Sequence, residues 1–366
     1  MLRLAGSPGV GKSAVGWTLV ERLANGGEPV AYVDIDQLGM CYPPPQGDPY
    51  RWALKERALG RIAGCYRQAG VARLVVSGVS FPDLPPPELT EARVTSLWLD
   101  AAAEVRRVRL GPRGWDSART NEVVKVGTAE AARLDGSWKR LSTDGLTVDE
   151  TVDAALARWT LEAASLVSAS TPADAPAATA SSNRAGGEEG RGVRVLWLTG
   201  PRCVGASTVG WLVATEAWQV GRRTGFIDIT QLSFTRNLAV PVGLTNGVAL
   251  QEVFAAAGAE LFVIVAPLEI QPSDVRAAFP GAGLSVVRLD ATDDALYHRA
   301  LARTRGEGPM VAGDDLLGRS DATAEAVIAA AAARQGFGVR TGEIIIDTSD
   351  IDAASSLKLV TGAAGW

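Results

Sequence analysis

Short apolar runs bounded by turn residues alternate along this chain with longer segments whose apolar positions recur at helical spacing. Leu2–Ala5, Val30–Asp34, Arg73–Ser77 and Thr95–Leu99 have the length and aliphatic character of buried strands. Between the first two, Lys12–Asn25 places Val15, Leu19, Val20 and Leu23 on one side of a helix. Trp52–Ala69, Ala102–Leu110 and Val148–Trp159 read as further helices. The pattern then restarts, with strands expected at Arg194–Leu198, Gly225–Asp228, Leu261–Ala266, Ser285–Leu289 and Ile344–Asp347. Strands that alternate with helices predict an α/β fold, with parallel sheets covered by helices on both faces.

The restart is also visible residue by residue. With Gly6 set against Gly200, the two starts align without a gap. Val10, Gly11, Ser13, Gly16, Trp17, Asp34, Ile35, Gln37 and Leu38 then meet Val204, Gly205, Ser207, Gly210, Trp211, Asp228, Ile229, Gln231 and Leu232. An internal duplication accounts for so many matches in one register. Between the halves, Ser170–Ala178 and Ser181–Gly190 are rich in Ser, Ala, Pro and Gly, and bury too little to offset chain entropy. The expected organisation is a domain over 1–165, a flexible tether over 166–192 and a second domain over 193–366.

Composition narrows the function. The chain is 366 residues long, which suits two domains of roughly 100–200 residues each. A net charge of -5 gives no general attraction to nucleic acid or to an anionic membrane. The apolar run Leu261–Pro267 falls far short of the ~20 residues of a membrane span. The scattered cysteines Cys41, Cys65 and Cys203 lack metal-ligand spacing, and the chain enters its first strand at once, so a reducing cytoplasm without a signal peptide is expected. With His298 the only histidine, neither a Ser-His-Asp triad nor a multi-histidine metal site is expected, and acid–base work is expected to fall to carboxylates.

Gly6-Ser7-Pro8-Gly9-Val10-Gly11-Lys12-Ser13 matches the G-x-x-x-x-G-K-[ST] P-loop in full, between a strand and a helix. Gly6, Gly9 and Gly11 allow the amides to turn inward around an anion, Val10 lies within the cradle, and the helix start adds its dipole. Lys12 brings positive charge to the β- and γ-phosphates, and Ser13 offers its hydroxyl to Mg²⁺. Nucleoside triphosphate binding follows. At the end of the second strand, alternation puts Asp34 and Asp36 on one side. Beside a triphosphate, one carboxylate can serve Mg²⁺ and the other can orient a hydroxyl and take its proton. The alternative is a pair of strand-end aspartates without chemistry.

A P-loop followed by Asp34-Ile35-Asp36 resembles the small-molecule branch of the P-loop kinases, which includes shikimate kinase-like, gluconate kinase-like and chloramphenicol phosphotransferase-like proteins. The resemblance implies two nucleotide-kinase-like P-loop domains, ATP and Mg²⁺ as cofactors, Asp34 near the metal and Asp36 near the acceptor hydroxyl. It implies acceptor contacts from the following helix, which carries Arg51, Lys55, Arg57 and Arg61; Arg51 and Arg57 are the expected substrate ligands, with a solvated helix face as the alternative. It implies a lid whose arginines neutralise the transferring phosphate, here Arg109 and Arg113, and adenine contacts near Ser142–Gly145. Val75-Val76-Ser77-Gly78 offers no Walker B carboxylate, which counts against motor-type ATPases. Met40–Pro45 is either a stiff wall of the acceptor pocket or a plain loop.

In the second loop, Gly200–Ser207, Ala206 stands in place of the lysine and Cys203 in place of Gly9, while Thr230 replaces Asp36 and Asp228 is kept. Losing that lysine and that base costs several powers of ten in phosphoryl transfer, so this half reads as pseudokinase-like. Arg202 is the nearby candidate for a rebuilt site. Two functions stay open: a kinase that phosphorylates a small-molecule hydroxyl, and a regulatory ATP-binding switch or scaffold. Nucleic-acid and membrane partners are not expected. The tether allows the halves to pack as a pseudo-dimer, and homo-oligomers are compatible with the pattern.

Overall fold

The computed structural model describes residues 1–90, 92–111, 115–167, 193–307, 316–334, 338 and 340–366. Residues 168–192 of the expected tether and Arg113 lie outside the described residues, while 166 and 167, also expected in the tether, continue the helix that ends at Val167. The chain opens with β1 (Leu2–Ala5), α1 (Lys12–Asn25), β2 (Val30–Asp34), a 3-10 turn over Gln37–Gly39 and β3 (Cys41–Tyr42). There follow α2 (Trp52–Gln68), β4 (Arg73–Ser77), β5 (Thr95–Asp100), α3 (Ala103–Leu110), α4 (Ser117–Ala132), β6 (Lys139–Ser142) and α5 (Val148–Val167). The series resumes with β7 (Arg194–Gly200), α6 (Ala206–Gln219), β8 (Thr224–Asp228), a 3-10 turn over Ile229–Leu232, β9 (Thr235–Arg236) and α7 (Gly243–Ala256). It closes with β10 (Leu261–Pro267), α8 (Pro272–Ala278), β11 (Gly283–Asp290), α9 (Asp293–Thr304), α10 (Asp321–Arg334), β12 (Ile344–Asp347) and α11 (Ala353–Ala364). No helix among the described residues is long and apolar enough to cross a membrane.

The strands form two six-stranded sheets, ordered β6-β5-β1-β4-β2-β9 and β12-β11-β7-β10-β8-β3. Within each sheet the longer strands are parallel. The outermost two-residue strand is antiparallel and comes from the other half of the sequence. β9 pairs with β2, Ala31 opposite Thr235, and β3 pairs with β8, Cys41 opposite Gly225. Each exchange covers an edge that would otherwise present unpaired backbone groups.

Alternation along the strands divides the side chains between two faces. On the first sheet, Leu2, Leu4, Val30, Tyr32 and Leu97 pack with Val15 and Leu19 of α1 and with Val152 and Trp159 of α5. The opposite face, including Ala31, Val33 and Val76, packs on Leu54, Ala58 and Ile62 of α2. That core runs on through Leu250 and Phe254 of α7 to Trp197, Phe262 and Ile264 of the second sheet. α2 and α7 lie against each other, with an Arg61–Glu252 ion pair at the rim. The buried Tyr66 hydroxyl donates to the Leu232 carbonyl at 2.7 Å. Burial of each large aliphatic or aromatic side chain stabilises by about 1.5–3 kcal/mol, so this shared core is a major tie between the sheets.

The Met40–Pro45 segment is not confined to the neighbourhood of Asp36. It crosses to the second sheet as β3, where the Tyr42 ring packs on Trp218 and Arg223 donates to the Pro43 and Pro44 carbonyls. This pairing of residues far apart in sequence explains why a proline-rich stretch has so little periodicity of its own.

Candidate functional site

β1 delivers the chain into the Gly6–Ser13 loop, and α1 begins within it at Lys12. Gly11 precedes the helix with φ 96°, and no side chain caps it, which leaves the first amides to whatever anion the loop encloses. At Gly9, φ is 86° and a β-carbon would lie 3.1 Å from the Arg106 carbonyl oxygen. Lys12 Nζ donates to the carbonyl oxygens of Gly6 at 2.7 Å and Ser7 at 3.1 Å, so the ammonium arches across the loop.

The loop is braced from outside. The buried Arg106 of α3 donates to the Pro8 carbonyl at 3.0 Å and to the Val123 and Val124 carbonyls of α4 at 3.2 Å each. Burial pushes its guanidinium pKa down, with Glu130 and Asp100 opposing. The Ser7 hydroxyl donates to the Glu130 carboxylate at 2.6 Å. Arg109 donates to Thr143 Oγ1 at 2.8 Å, to the Thr143 carbonyl at 3.1 Å and to the Val10 carbonyl at 3.4 Å. These residues border a cavity of ≈ 350 Å³ that runs from Gly9–Val15 past Arg109 and Thr143 to Leu146, Val148 and Thr151 at the start of α5. That helix start carries a capping box: Thr147 Oγ1 accepts from the Glu150 amide, and Glu150 accepts from the Thr147 amide.

At the end of β2, Asp34 Oδ1 accepts the Asp36 amide at 2.9 Å. Burial first, and then the Asp36 charge, push the Asp34 carboxyl up to about 6; the Asp36 amide and the charges of Lys12 and Lys55 oppose this. Asp36 is half-exposed, and its Oδ1 accepts from Lys55 Nζ at 2.6 Å. Lys55 is buried on α2, and its ammonium lies 5.0 Å from the Trp52 ring centre. The sequence signal for this partner is a lysine embedded in the apolar stripe of Leu54, Ala58, Leu59 and Ile62, where a charge needs a counter-charge. Arg51 stacks on Tyr42 at 3.8 Å. Arg57 is on the exposed face of α2 and donates to the Ala53 carbonyl of its own helix. The structure thus gathers Gly9–Ser13 and Arg109 around the cavity and joins Asp36 to Asp34 and to Lys55.

The Tyr32 hydroxyl shares a 2.6 Å hydrogen bond with Ser77. Burial and the Asp34 charge push its pKa up to about 12.

The second loop keeps the shape and changes the chemistry. Cys203 holds φ 67°, a left-handed conformation that costs a non-glycine residue about 1–2 kcal/mol. Arg299 donates to the Val204 carbonyl at 3.0 Å and to Thr348 Oγ1 at 3.1 Å, repeating the Arg109 bonds. Asp228 is buried, and its carboxylate accepts from the Ser207 hydroxyl at 2.9 Å, from the Thr230 amide at 3.0 Å and from the Thr230 hydroxyl. Burial pushes its pKa up.

The donors in the first loop suit a Mg²⁺-bound triphosphate: inward amides, an ammonium, and the hard oxygens of Ser13 and Asp34. Among the described residues no group of three or more His, Cys, Asp or Glu side chains is placed to hold a metal ion.

No family model matches the chain, and no curated protein matches it. Solved structures similar to it include a gluconokinase from Sinorhizobium meliloti, at 20% identity over 46% of this chain and 97% of that one, with a TM-score of 0.33. A sugar kinase from a Janibacter species is 16% identical over 44% of this chain and 95% of its own, with a TM-score of 0.31. Shikimate kinase from Bacteroides thetaiotaomicron is 15% identical over 47% and 99%, with a TM-score of 0.28.

Proposed function

We propose that this protein is an ATP-dependent kinase that phosphorylates a hydroxyl group of a small molecule at a single site in its N-terminal half. The observation that carries the reading is the Asp36–Lys55 pair, set where the chain leaves the strand after Asp34 and turns into the 3-10 segment rather than continuing the strand alternation, next to a full P-loop. A nucleotide-binding switch needs the loop; it has no use for a half-exposed carboxylate oriented by a buried lysine.

In this reading the amides of Gly9–Ser13 and the Lys12 ammonium hold the β- and γ-phosphates. Arg109 flanks the nucleotide at the Thr143 edge, and Arg113 is the expected second lid arginine. Mg²⁺, when bound through Ser13 with Asp34 nearby, supplies charge neutralisation on the phosphates. Lys55 fixes the Asp36 carboxylate, which accepts the proton of the acceptor hydroxyl. The acceptor oxygen bonds to the γ-phosphorus as the bond from phosphorus to the β–γ bridging oxygen breaks, and ADP leaves with that oxygen. Arg51, at the start of α2, and Arg57 are candidates to contact the rest of the acceptor.

Residues 1–165 form the catalytic unit, 166–192 the tether and 193–366 a duplicated, pseudokinase-like copy packed against it as a pseudo-dimer, in a cytoplasmic setting. In that copy Ala206 supplies no phosphate-binding charge, and the Ser207 hydroxyl is committed to Asp228. Asp36→Asn tests the reading: ATP affinity should stay within about twofold of wild type while turnover of an acceptor falls by at least about a hundredfold. A regulatory ATP-binding protein would instead show slow ATP hydrolysis that no hydroxylated metabolite accelerates and that Asp36→Asn leaves unchanged.

A further inference from the structure

The 3-10 turn that follows Asp36 leads into β3, and β3 belongs to the second sheet. Cys41 lies opposite Gly225 and Tyr42 opposite Thr224. The Phe226 amide donates to the Met40 carbonyl at 2.8 Å. The Tyr42 ring packs on Trp218 with centroids 4.7 Å apart. Trp218 Nε1 donates to the Thr224 carbonyl at 2.8 Å, which fixes the indole on its own sheet. Arg223 donates to the Pro43 carbonyl at 3.0 Å, to the Pro44 carbonyl at 3.3 Å and to the Ala257 carbonyl behind α7 at 3.0 Å. Two residues of the second half thus clamp the chain shortly after Asp36.

The clamped segment returns to the site through Arg51. The guanidinium carbon of Arg51 lies 3.8 Å from the centre of the Tyr42 ring. Arg51 directly precedes α2 at φ 59°, a left-handed conformation that a non-glycine residue keeps only where its surroundings hold it. Its carbonyl accepts the Lys55 amide at 2.9 Å, one turn along. The Lys55 stem lies on the 3-10 turn, where a β-carbon on Gly39 would come within 2.6 Å of Lys55 Cε. Lys55 Nζ then closes the circuit on Asp36 Oδ1 at 2.6 Å. Both members of the pair therefore hang from Tyr42, Asp36 through the main chain of 37–41 and Lys55 through Arg51.

The reciprocal crossing is anchored too, and it frames no ion pair. Asn237, just beyond β9, donates to the Ala24 carbonyl at 2.6 Å and the Glu28 carbonyl at 3.1 Å, and Arg236 pairs with Glu21 at 2.9 Å. Thr230 stands where Asp36 does. The fourth residue of α7 is Asn246, as Lys55 is fourth in α2; it is buried and donates to the Leu232 carbonyl at 2.9 Å. Each half steadies a loop of the other, and only the loop of the first half carries a carboxylate and an ammonium.

We infer that Trp218 and Arg223 are positioning residues for the Asp36–Lys55 pair, acting through Tyr42 and the main chain of Pro43 and Pro44. The inference rests on reading Asp36 as the group that meets the acceptor hydroxyl. It gives the second half a use that needs no ligand of its own: it holds the acceptor side of its neighbour's site.

Three readouts on the full-length protein test it: acetylation of Lys55 by acetic anhydride, calorimetric titration with ATP, and label transfer from γ-labelled ATP to a pool of hydroxylated metabolites. Lys55 labelling is followed by peptide mass spectrometry against the exposed Lys125. Trp218→Ala and Arg223→Gln are each expected to speed Lys55 acetylation about tenfold, because the buried ammonium is freed by local opening. Each is also expected to lower label transfer about tenfold, the effect of a misplaced reacting group, with ATP affinity within about twofold of wild type. Trp218→Phe, which keeps a ring against Tyr42, is expected to match wild type in all three. Unchanged Lys55 protection in both Trp218→Ala and Arg223→Gln overturns the inference, as does a fall in ATP affinity as large as the fall in transfer. Arg223→Gln decides alone if Trp218→Ala does not fold. A wild-type protein that binds ATP and transfers no label overturns the kinase reading, and the Lys55 rates then decide the anchoring by themselves.

Discussion

Asp34 is held where a carboxylate is costly. Its pKa is pushed from the ordinary 3.8 up to about 6, chiefly by burial. The folded protein therefore binds this proton more tightly than the unfolded chain, so stability falls as pH rises between those two values, and the full penalty is present above about pH 6. A shift of this size corresponds to about 3 kcal/mol. Asp34→Asn is expected to raise the melting temperature at neutral pH by several degrees and to flatten the gain in stability that the wild type shows as pH falls through about 6; scanning calorimetry across pH reads both. A variant no more stable than wild type at neutral pH would show that the carboxylate is not under this strain. The P-loop and both aspartates are legible in the sequence because their spacing and their place at strand ends are local. Lys55 and Arg106 are less so, because their partners are a carboxylate on another element and three main-chain carbonyls that only folding assembles.

At the scale of elements, the expected strands and helices are present because their apolar periodicity is strong. Among those elements the deviations sit at the ends: α5 runs on to Val167, past the expected end at Trp159, whereas β6 has no counterpart among the expected strands. The periodicity gives no sign of β3 and β9, since a two-residue strand has no period and exists only through its distant partner. Nor does it mark α4, whose buried residues are Val124 and Gly127 alone. That helix is tied to the site by polar contacts, Ser7 to Glu130 and Arg106 to the Val123 and Val124 carbonyls. Arg106→Ala removes the donor to three carbonyls at once and is expected to cost at least about 2 kcal/mol in urea unfolding. It should also weaken ATP binding, because the Pro8 carbonyl loses its anchor to α3. An Arg106→Ala protein with wild-type stability and affinity would show that the loop holds its shape unaided.

The whole molecule is organised by two reciprocal features, the exchanged edge strands and the core shared by α2 and α7. The matches between the two stretches of sequence leave their contact open, because such similarity carries no information about which surfaces meet. The shared core predicts that the halves do not part when the chain between them is cut. A protein cleaved within residues 168–192 is expected to elute as one complex and to melt in one transition. Residues 1–167 expressed alone should aggregate, since the apolar face of α2 would be exposed. Separation of the cut halves on a sizing column would contradict the shared core. The proposed activity is transfer of a phosphoryl group onto an alcohol by the N-terminal loop and Asp36. The direct measurement is to incubate the full-length protein with γ-labelled ATP, Mg²⁺ and a pool of hydroxylated metabolites. Label carried into an acid-stable phosphomonoester of a small molecule is the predicted result; label recovered only as inorganic phosphate, whatever the pool contains, would contradict it.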